Sequence, residues 1–230
     1  MKRALLIGNS DGIGLCLTQT LLQQDWQVTG ISRSPSPLDQ ETQYQHIIQD
    51  VLSEEFPESL QKAAAEHGPF DVIVFCVGIA PRLHLGHMET EVKVFEVNLM
   101  GALKTLEVML PKLIEQGAGH IIMLSSIADS VVSNFNPAYC ASKAGMTSYL
   151  RGLGLALKEK GITLTNIRFG FVDTKMAKAP FKPFQITPEK AAKVILKAID
   201  KKPLQITHPK VMGMAVQMMK LTSTLKIWAG

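Results

Sequence analysis

With 230 residues, 46% hydrophobic and only 19% charged, the chain is long and apolar enough for one well-packed core, and its composition excludes intrinsic disorder. The formal charge of +4 arises from 24 basic and 20 acidic side chains scattered along the sequence, which excludes nucleic-acid binding as the main role. Three cysteines, Cys16, Cys76 and Cys140, fit no disulfide framework, and Met1-Lys-Arg-Ala leads straight into an apolar run, so a leaderless cytoplasmic protein in a reducing compartment is expected.

Apolar runs alternate with amphipathic stretches along the whole chain, the pattern of a mainly parallel sheet covered by helices on both faces. One domain spanning 1–230 is expected, of the α/β class and doubly wound. Strands are predicted near Arg3–Ile7, Gln27–Ser32, Tyr44–Gln49, Val72–Val77, His120–Ser125, Thr163–Phe169 and Leu204–Thr207, with a helix after each of the first six. The first strand runs into Gly8-Asn9-Ser10-Asp11-Gly12-Ile13-Gly14 and then into apolar residues at Leu15, Leu17, Leu21 and Leu22, which reads as strand, glycine turn, helix. Glycines there permit close backbone approach, and a helix N-terminus offers unpaired amides to an anion such as a phosphate. The two longest helices are predicted over 90–116 and 137–160. Thr187 followed by Pro188 marks the start of a helix running to about Lys201.

Within the second long helix, Tyr139 and Lys143 stand four residues apart and share a face. A free phenol ionises near pH 10, and an adjacent ammonium favours the phenolate, so this pairing predicts a lowered tyrosine pKa and a usable general acid or base. Ser126 follows an apolar strand thirteen residues before Tyr139, and Asn98 lies in Val97-Asn-Leu-Met-Gly101. Alternation along the strand turns the adjacent Ser125 to the other face.

Taken together, the glycines at 8, 12 and 14, Asp50-Val51, Asn98, Ser126, Tyr139, Lys143 and Gly170-Phe-Val-Asp-Thr174 resemble the short-chain dehydrogenase/reductase family over nearly the whole chain. The sequence departs from the family pattern at Ile7, where a Thr is usual, at Cys76-Val77-Gly78 for Asn-Ala-Gly, and at Phe169-Gly170 for Pro-Gly. The resemblance implies a Rossmann-like fold and an oxidoreductase that moves a hydride between a nicotinamide dinucleotide and a carbonyl or alcohol. It makes Asn98, Ser126, Tyr139 and Lys143 the catalytic set: Tyr139 the proton carrier, Ser126 the donor to the substrate oxygen, Lys143 the holder of the ribose hydroxyls, and Asn98 a link from Lys143 toward solvent. Phe171 and Met176 join Ser126 and Tyr139 at the substrate. Asp50, Val51, Val77, Gly78, Gly170, Val172 and Thr174 line the cofactor with the glycine loop.

Ser32-Arg33 ends the second strand with a neutral residue and a guanidinium, which suits the 2′-phosphate of NADP(H) better than the bare ribose of NAD(H). Asp11 argues the other way, so NAD(H) remains open. A non-catalytic dinucleotide sensor of the same fold is the alternative function. Family members pair through long helices, so a homodimer or homotetramer is expected, acting on a small molecule. No metal is expected, because His84 and His87 have no cysteine or acidic partner set. The segment 175–187, with Met176, Phe181 and Phe184, falls where the family covers its substrate. The Met-rich segment 210–230 is read as packing on the body, as a lid or subunit contact, or, less favoured, as a membrane contact through Lys210, Lys220 and Lys226.

Overall fold

A computed structural model describes residues 1–176 and 182–216. Phe181 and the part of the C-terminal segment holding Met218, Met219, Lys220, Leu221, Leu225, Lys226, Ile227 and Trp228 lie outside them. The strands are β1 (Arg3–Ile7), β2 (Gln27–Ser32), β3 (Tyr44–Ile48), β4 (Val72–Phe75), β5 (Gly119–Ser126), β6 (Ile162–Phe169) and β7 (Gln205–His208). The helices are α1 (Gly12–Leu22), α2 (Phe56–His67), α3 (Glu89–Phe95), α4 (Gly101–Gln116), α5 (Pro137–Ala156) and α6 (Pro188–Lys201).

The seven strands form one sheet in the order β3-β2-β1-β4-β5-β6-β7, and every neighbouring pair is parallel. β1 and β4 are nearly continuous apolar runs because both sheet faces are covered. On one face Leu17 and Leu21 of α1 and Ala191 and Ile195 of α6 pack on Leu6, Val74 and Ile122. On the other, Phe56 and Leu60 of α2, Leu106 and Met109 of α4, and Met146 and Leu150 of α5 pack on Leu5, Ile73 and Met123. The strand order reverses between β1 and β4, the place where sheets of this kind leave a crevice beyond their carboxyl ends.

Strand positions agree with the sequence reading to within a residue or two, and Thr187 accepts from the Lys190 amide at the N-cap of α6 as expected. Three helix expectations need correction. No helix joins β2 to β3: Pro35 and Pro37 remove amide donors and fix the backbone in a short connection. The long run from Glu89 to Gln116 is broken by a π-helical turn at Glu96–Met100, which carries Asn98. The α5 helix ends at Ala156, before Gly161 takes φ +73°. Helical residues 210–216 pack inward, burying Met212 and Val216 with Ile127 against Val131 and Phe171. Among the described residues no helix is long and apolar enough to cross a membrane.

Candidate active site

The glycine loop leaves β1 with Gly8 at φ +86°, a conformation that side chains disfavour, and a β-carbon there would lie 2.7 Å from Val77 Cγ2. A β-carbon on Gly14 would strike the Gly8 carbonyl oxygen. The loops after β1 and β4 therefore interlock at the switch point, and a side chain at either glycine would fill the cradle at the start of α1. Asp11 caps α1 through the Gly12 amide at 2.7 Å and pairs with Lys175 at the same distance, so its charge is shared across the loop mouth. Lys175 is the first cause that holds the Asp11 carboxyl below its ordinary value. Thr174 stands over Gly12, with Cγ2 3.2 Å from where a β-carbon would sit.

Asn9 turns its side chain inward, leaving the outer face of the loop to its backbone. Its Nδ2 donates to the Tyr44 hydroxyl at 2.6 Å and to Thr18 Oγ1 at 3.2 Å. His46 meets the Tyr44 hydroxyl at Nδ1, 2.6 Å, and the Ser34 carbonyl at Nε2, 3.0 Å. A carbonyl only accepts, so Nε2 carries the proton when His46 is neutral, Nδ1 accepts from Tyr44, and Tyr44 accepts from Asn9. This chain ties the glycine loop to the end of β2, where Ser32 donates to the Ser34 carbonyl and Arg33 lies exposed. The sequence reading missed it. Asp50 turns its carboxylate onto the Leu52 amide, and Val51 is buried against Gly101.

On α5, Tyr139, Lys143 and Thr147 lie along one stripe at successive turns and face the last residues of β5. Thr147 bonds Ser125 at 3.0 Å, Lys143 Nζ donates to the Leu124 carbonyl at 2.9 Å, and Ser126 stands near enough to Tyr139 to draw its pKa down. Ser126 also accepts the Ala128 amide at 3.1 Å, which fixes it at the head of a one-turn 3-10 helix, Ile127–Ser130. Asn98 is fully buried, accepting from the Ile79 amide at 2.7 Å and donating to the Ile79 carbonyl at 2.9 Å and to Ser142 at 3.1 Å. Gly78 sits among these groups: a β-carbon there would have Met176 Cε at 3.4 Å, Asn98 Oδ1 at 3.5 Å and Lys143 Nζ at 3.6 Å.

The expected lowering of the Tyr139 pKa is corrected. Burial pushes the phenol above its ordinary value, and the Ser126 hydrogen bond only partly draws it back. Lys143 is committed to Leu124, with Nζ 6.0 Å from the Tyr139 ring centre. Burial brings the Lys143 ammonium down to about 8, while the Cys76 thiol, pushed up to about 12 by its own burial, pulls it the other way. At neutral pH the site therefore holds a neutral phenol beside a largely protonated ammonium.

Two further groups went unread in the sequence. Glu91 of α3, buried, accepts the Ala138 amide at 3.2 Å and caps α5 where Asn136 makes no side-chain cap. Asp129 and Arg168 form a bidentate ion pair with side chains 1% and 6% exposed. A charged residue inside the apolar run Asn166-Ile-Arg-Phe169 was the signal for the second, since a buried guanidinium requires a partner. Phe171 packs beside Ile127 and Met212, and Val172 forms a parallel bridge to Ile186.

Residues 2–183 match the short chain dehydrogenase family. The chain is 31% identical over 188 residues to an uncharacterized oxidoreductase of Staphylococcus saprophyticus, covering 76% of this chain and 80% of that one. It is 28% identical over 223 residues to the ketoacyl reductase HetN of a Nostoc species, covering 89% and 77%. Its fold matches a short-chain dehydrogenase from Streptomyces avermitilis with TM-score 0.84 at 22% identity, over 99% of this chain and 96% of that one. An actinorhodin polyketide ketoreductase solved with NADPH matches with TM-score 0.82 at 22% identity, over 92% and 97%.

Proposed function

From the premise that this chain belongs to the short-chain dehydrogenase family, as an oxidoreductase acting on the CH–OH/C=O couple, we propose that it reduces a small carbonyl substrate with NADPH. The observation that carries this reading is the grouping of Ser126, Tyr139 and Lys143 at the carboxyl end of β5, with the Lys143 ammonium beside Gly78 in the loop after β4.

The residues present fit a dinucleotide. Gly8 and Gly14 keep side chains out of the space at the N-terminus of α1, where the backbone of residues 8–14 would hold the pyrophosphate. Arg33 would take the 2′-phosphate, with the Asp11 charge already balanced by Lys175, while Ser32, Asp50 and Val51 would flank the adenosine. Val77, Gly78, Gly170, Val172 and Thr174 would line the remainder. Bound there, NADP(H) supplies the hydride chemistry. The NADPH in the polyketide ketoreductase supports that choice of cofactor for the fold.

Lys143 has three N–H donors and spends one on Leu124, leaving the others for ribose hydroxyls. Ser126 would donate to the substrate oxygen and favour the charge that develops on it. Tyr139 would deliver the proton to that oxygen. A general acid must be protonated at working pH, and the buried phenol meets that condition at neutral pH. Asn98 would steady α5 through Ser142 and the loop after β4 through Ile79. Phe171 and Met176 would give the substrate an apolar wall.

We further infer a cytoplasmic homodimer or homotetramer, supported by Val92, Phe95, Met100 and Tyr149, which stay exposed along the α3–α4 run and α5. The deciding experiment is NADPH consumption across a panel of ketones and aldehydes, with dinucleotide binding followed by fluorescence. Binding with turnover in the natural chain, and binding without turnover in Tyr139→Phe, is the expected result. Binding without turnover in both would leave a dinucleotide sensor.

A further inference from the structure

Thr147 has a full complement of partners. Its single hydroxyl proton goes to Asp129 Oδ2 at 2.7 Å, and its oxygen accepts from Ser125 Oγ at 3.0 Å and Asn166 Nδ2 at 3.1 Å. Asp129 is equally full. Oδ2 takes Thr147 and Arg168 Nε at 2.6 Å, and Oδ1 takes Arg168 Nη2 and the Ser130 hydroxyl at 2.7 Å. Arg168 also donates to Ser130 at 2.8 Å and to Thr207 at 3.1 Å. Ser125, Arg168 and Thr207 are register neighbours across β5, β6 and β7, so one carboxylate gathers three strands, the 3-10 turn and α5.

The position of this cluster matters for the chemistry. Asp129 lies three residues after Ser126, and Thr147 lies two helical turns after Tyr139. The contact of α5 with β5 at Thr147 and Ser125 is the lower end of the same stripe whose upper end brings Tyr139 to Ser126. We propose that Asp129, locked by Arg168, is the positioning residue of the active site, holding α5 against the end of β5 so that Ser126 and Tyr139 address one substrate oxygen. The proposal rests on the reading of Tyr139 as the proton carrier, and it adds a group that touches neither substrate nor cofactor. A misplacement on the order of 1 Å at reacting groups can lower turnover about a hundredfold, so such a brace has kinetic weight.

The brace is also a charge. The groups facing Tyr139 are Lys143 and Cys140 on its own helix and Asp129 on the turn; Glu91 of α3 stands at the helix N-terminus, and Cys76 beside Lys143. Arg168 keeps the Asp129 charge compensated. Removing either partner should therefore move the phenol in opposite directions, which packing loss alone would not do.

The test is a phenolate absorbance titration of the full chain, feasible because it has only three tyrosines, with Tyr139→Phe assigning the relevant one. Asp129→Asn keeps an acceptor for Thr147 and removes the charge, so Tyr139 should titrate at lower pH than in the natural chain. Arg168→Met leaves the carboxylate unpaired, so it should titrate higher. Thr147→Val changes no charge but frees α5 from the turn, weakening the Ser126 bond, and should also raise the titration. An unchanged titration in Asp129→Asn and Thr147→Val, or a shift of the same sign in Asp129→Asn and Arg168→Met, would overturn the proposal. If Arg168→Met does not fold, the sign in the other two variants decides. Tyr139→Phe that still reduces carbonyls would overturn the functional reading separately, since the titration does not depend on turnover.

Discussion

Lys143 donates to the carbonyl oxygen of Leu124 at 2.9 Å and stands only 3% exposed, so a charge needed for chemistry is kept where charge is costly. Its pKa falls to about 8 in the fold against 10.5 for the free group. Between these values the unfolded chain holds a proton the native state does not, so this residue's contribution to stability falls as pH drops from 10.5 toward 8 and stays unfavourable below. Replacing it with Met should abolish turnover and raise the unfolding free energy near neutral pH by about 1–3 kcal/mol, allowing for the lost bond to Leu124. Urea unfolding compared with the natural chain measures this. A destabilised Lys143→Met would show that the ammonium holds the fold together.

The same titration sets the pH range of reduction. Below about 8 Lys143 is charged and the phenol neutral, which is the competent pair. kcat/KM should fall as pH rises through about 8, well before Tyr139 ionises. Lys143→Arg cannot lose its proton, and the activity it retains should keep no such limb. A limb that persists in the Arg variant belongs to another group.

Tyr139→Phe removes the proton donor while leaving the ring in place. Turnover should drop by at least about a hundredfold, the usual scale for a positioned general acid, with dinucleotide binding nearly intact. Steady-state rates and fluorescence titration together check both halves.

For cofactor choice, Arg33→Ala should weaken NADPH binding far more than NADH binding, because only the former carries the 2′-phosphate. Lys175→Ala leaves Asp11 unpaired at the mouth of the glycine loop and should weaken both dinucleotides alike, with the larger loss at low salt. Equal losses of NADPH and NADH on Arg33→Ala would remove the phosphate clamp.

What could be read in the sequence was local. Tyr139 and Lys143 share a face because helical geometry puts residues four apart together, and the glycines at 8, 12 and 14 announce a turn by themselves. The missing helix after β2 was legible too, in Pro35 and Pro37, but the expectation of strict alternation overrode it. The direction of the Tyr139 shift depends on how deeply the fold buries the ring, which spacing does not disclose. Asp129 and Arg168 meet across 39 residues, and Glu91 caps a helix 47 residues away. Only Arg168, charged within an apolar strand, advertised that it needed a partner.

His120 gives the last prediction. It opens the buried core of β5 at 1% exposure, bonded through Nε2 to Thr165 Oγ1 at 2.8 Å, with no partner at Nδ1 among the described residues. A buried imidazole beside apolar strands resists charging, and Lys202 adds a smaller repulsion, so its pKa falls to about 4 from 6.5. Above 6.5 neither state is protonated and nothing is lost. As pH drops from 6.5 toward 4 the unfolded chain binds a proton the native chain refuses, and the fold loses up to about 3 kcal/mol from this group alone. Carboxylates titrate in part of the same range, so the comparison must be with a variant. His120→Gln can still bond Thr165 but cannot titrate, and its unfolding free energy, measured in urea at about pH 7 and about pH 5, should vary less with pH than that of the natural chain. Equal slopes would mean that His120 finds a way to accept its proton inside the sheet.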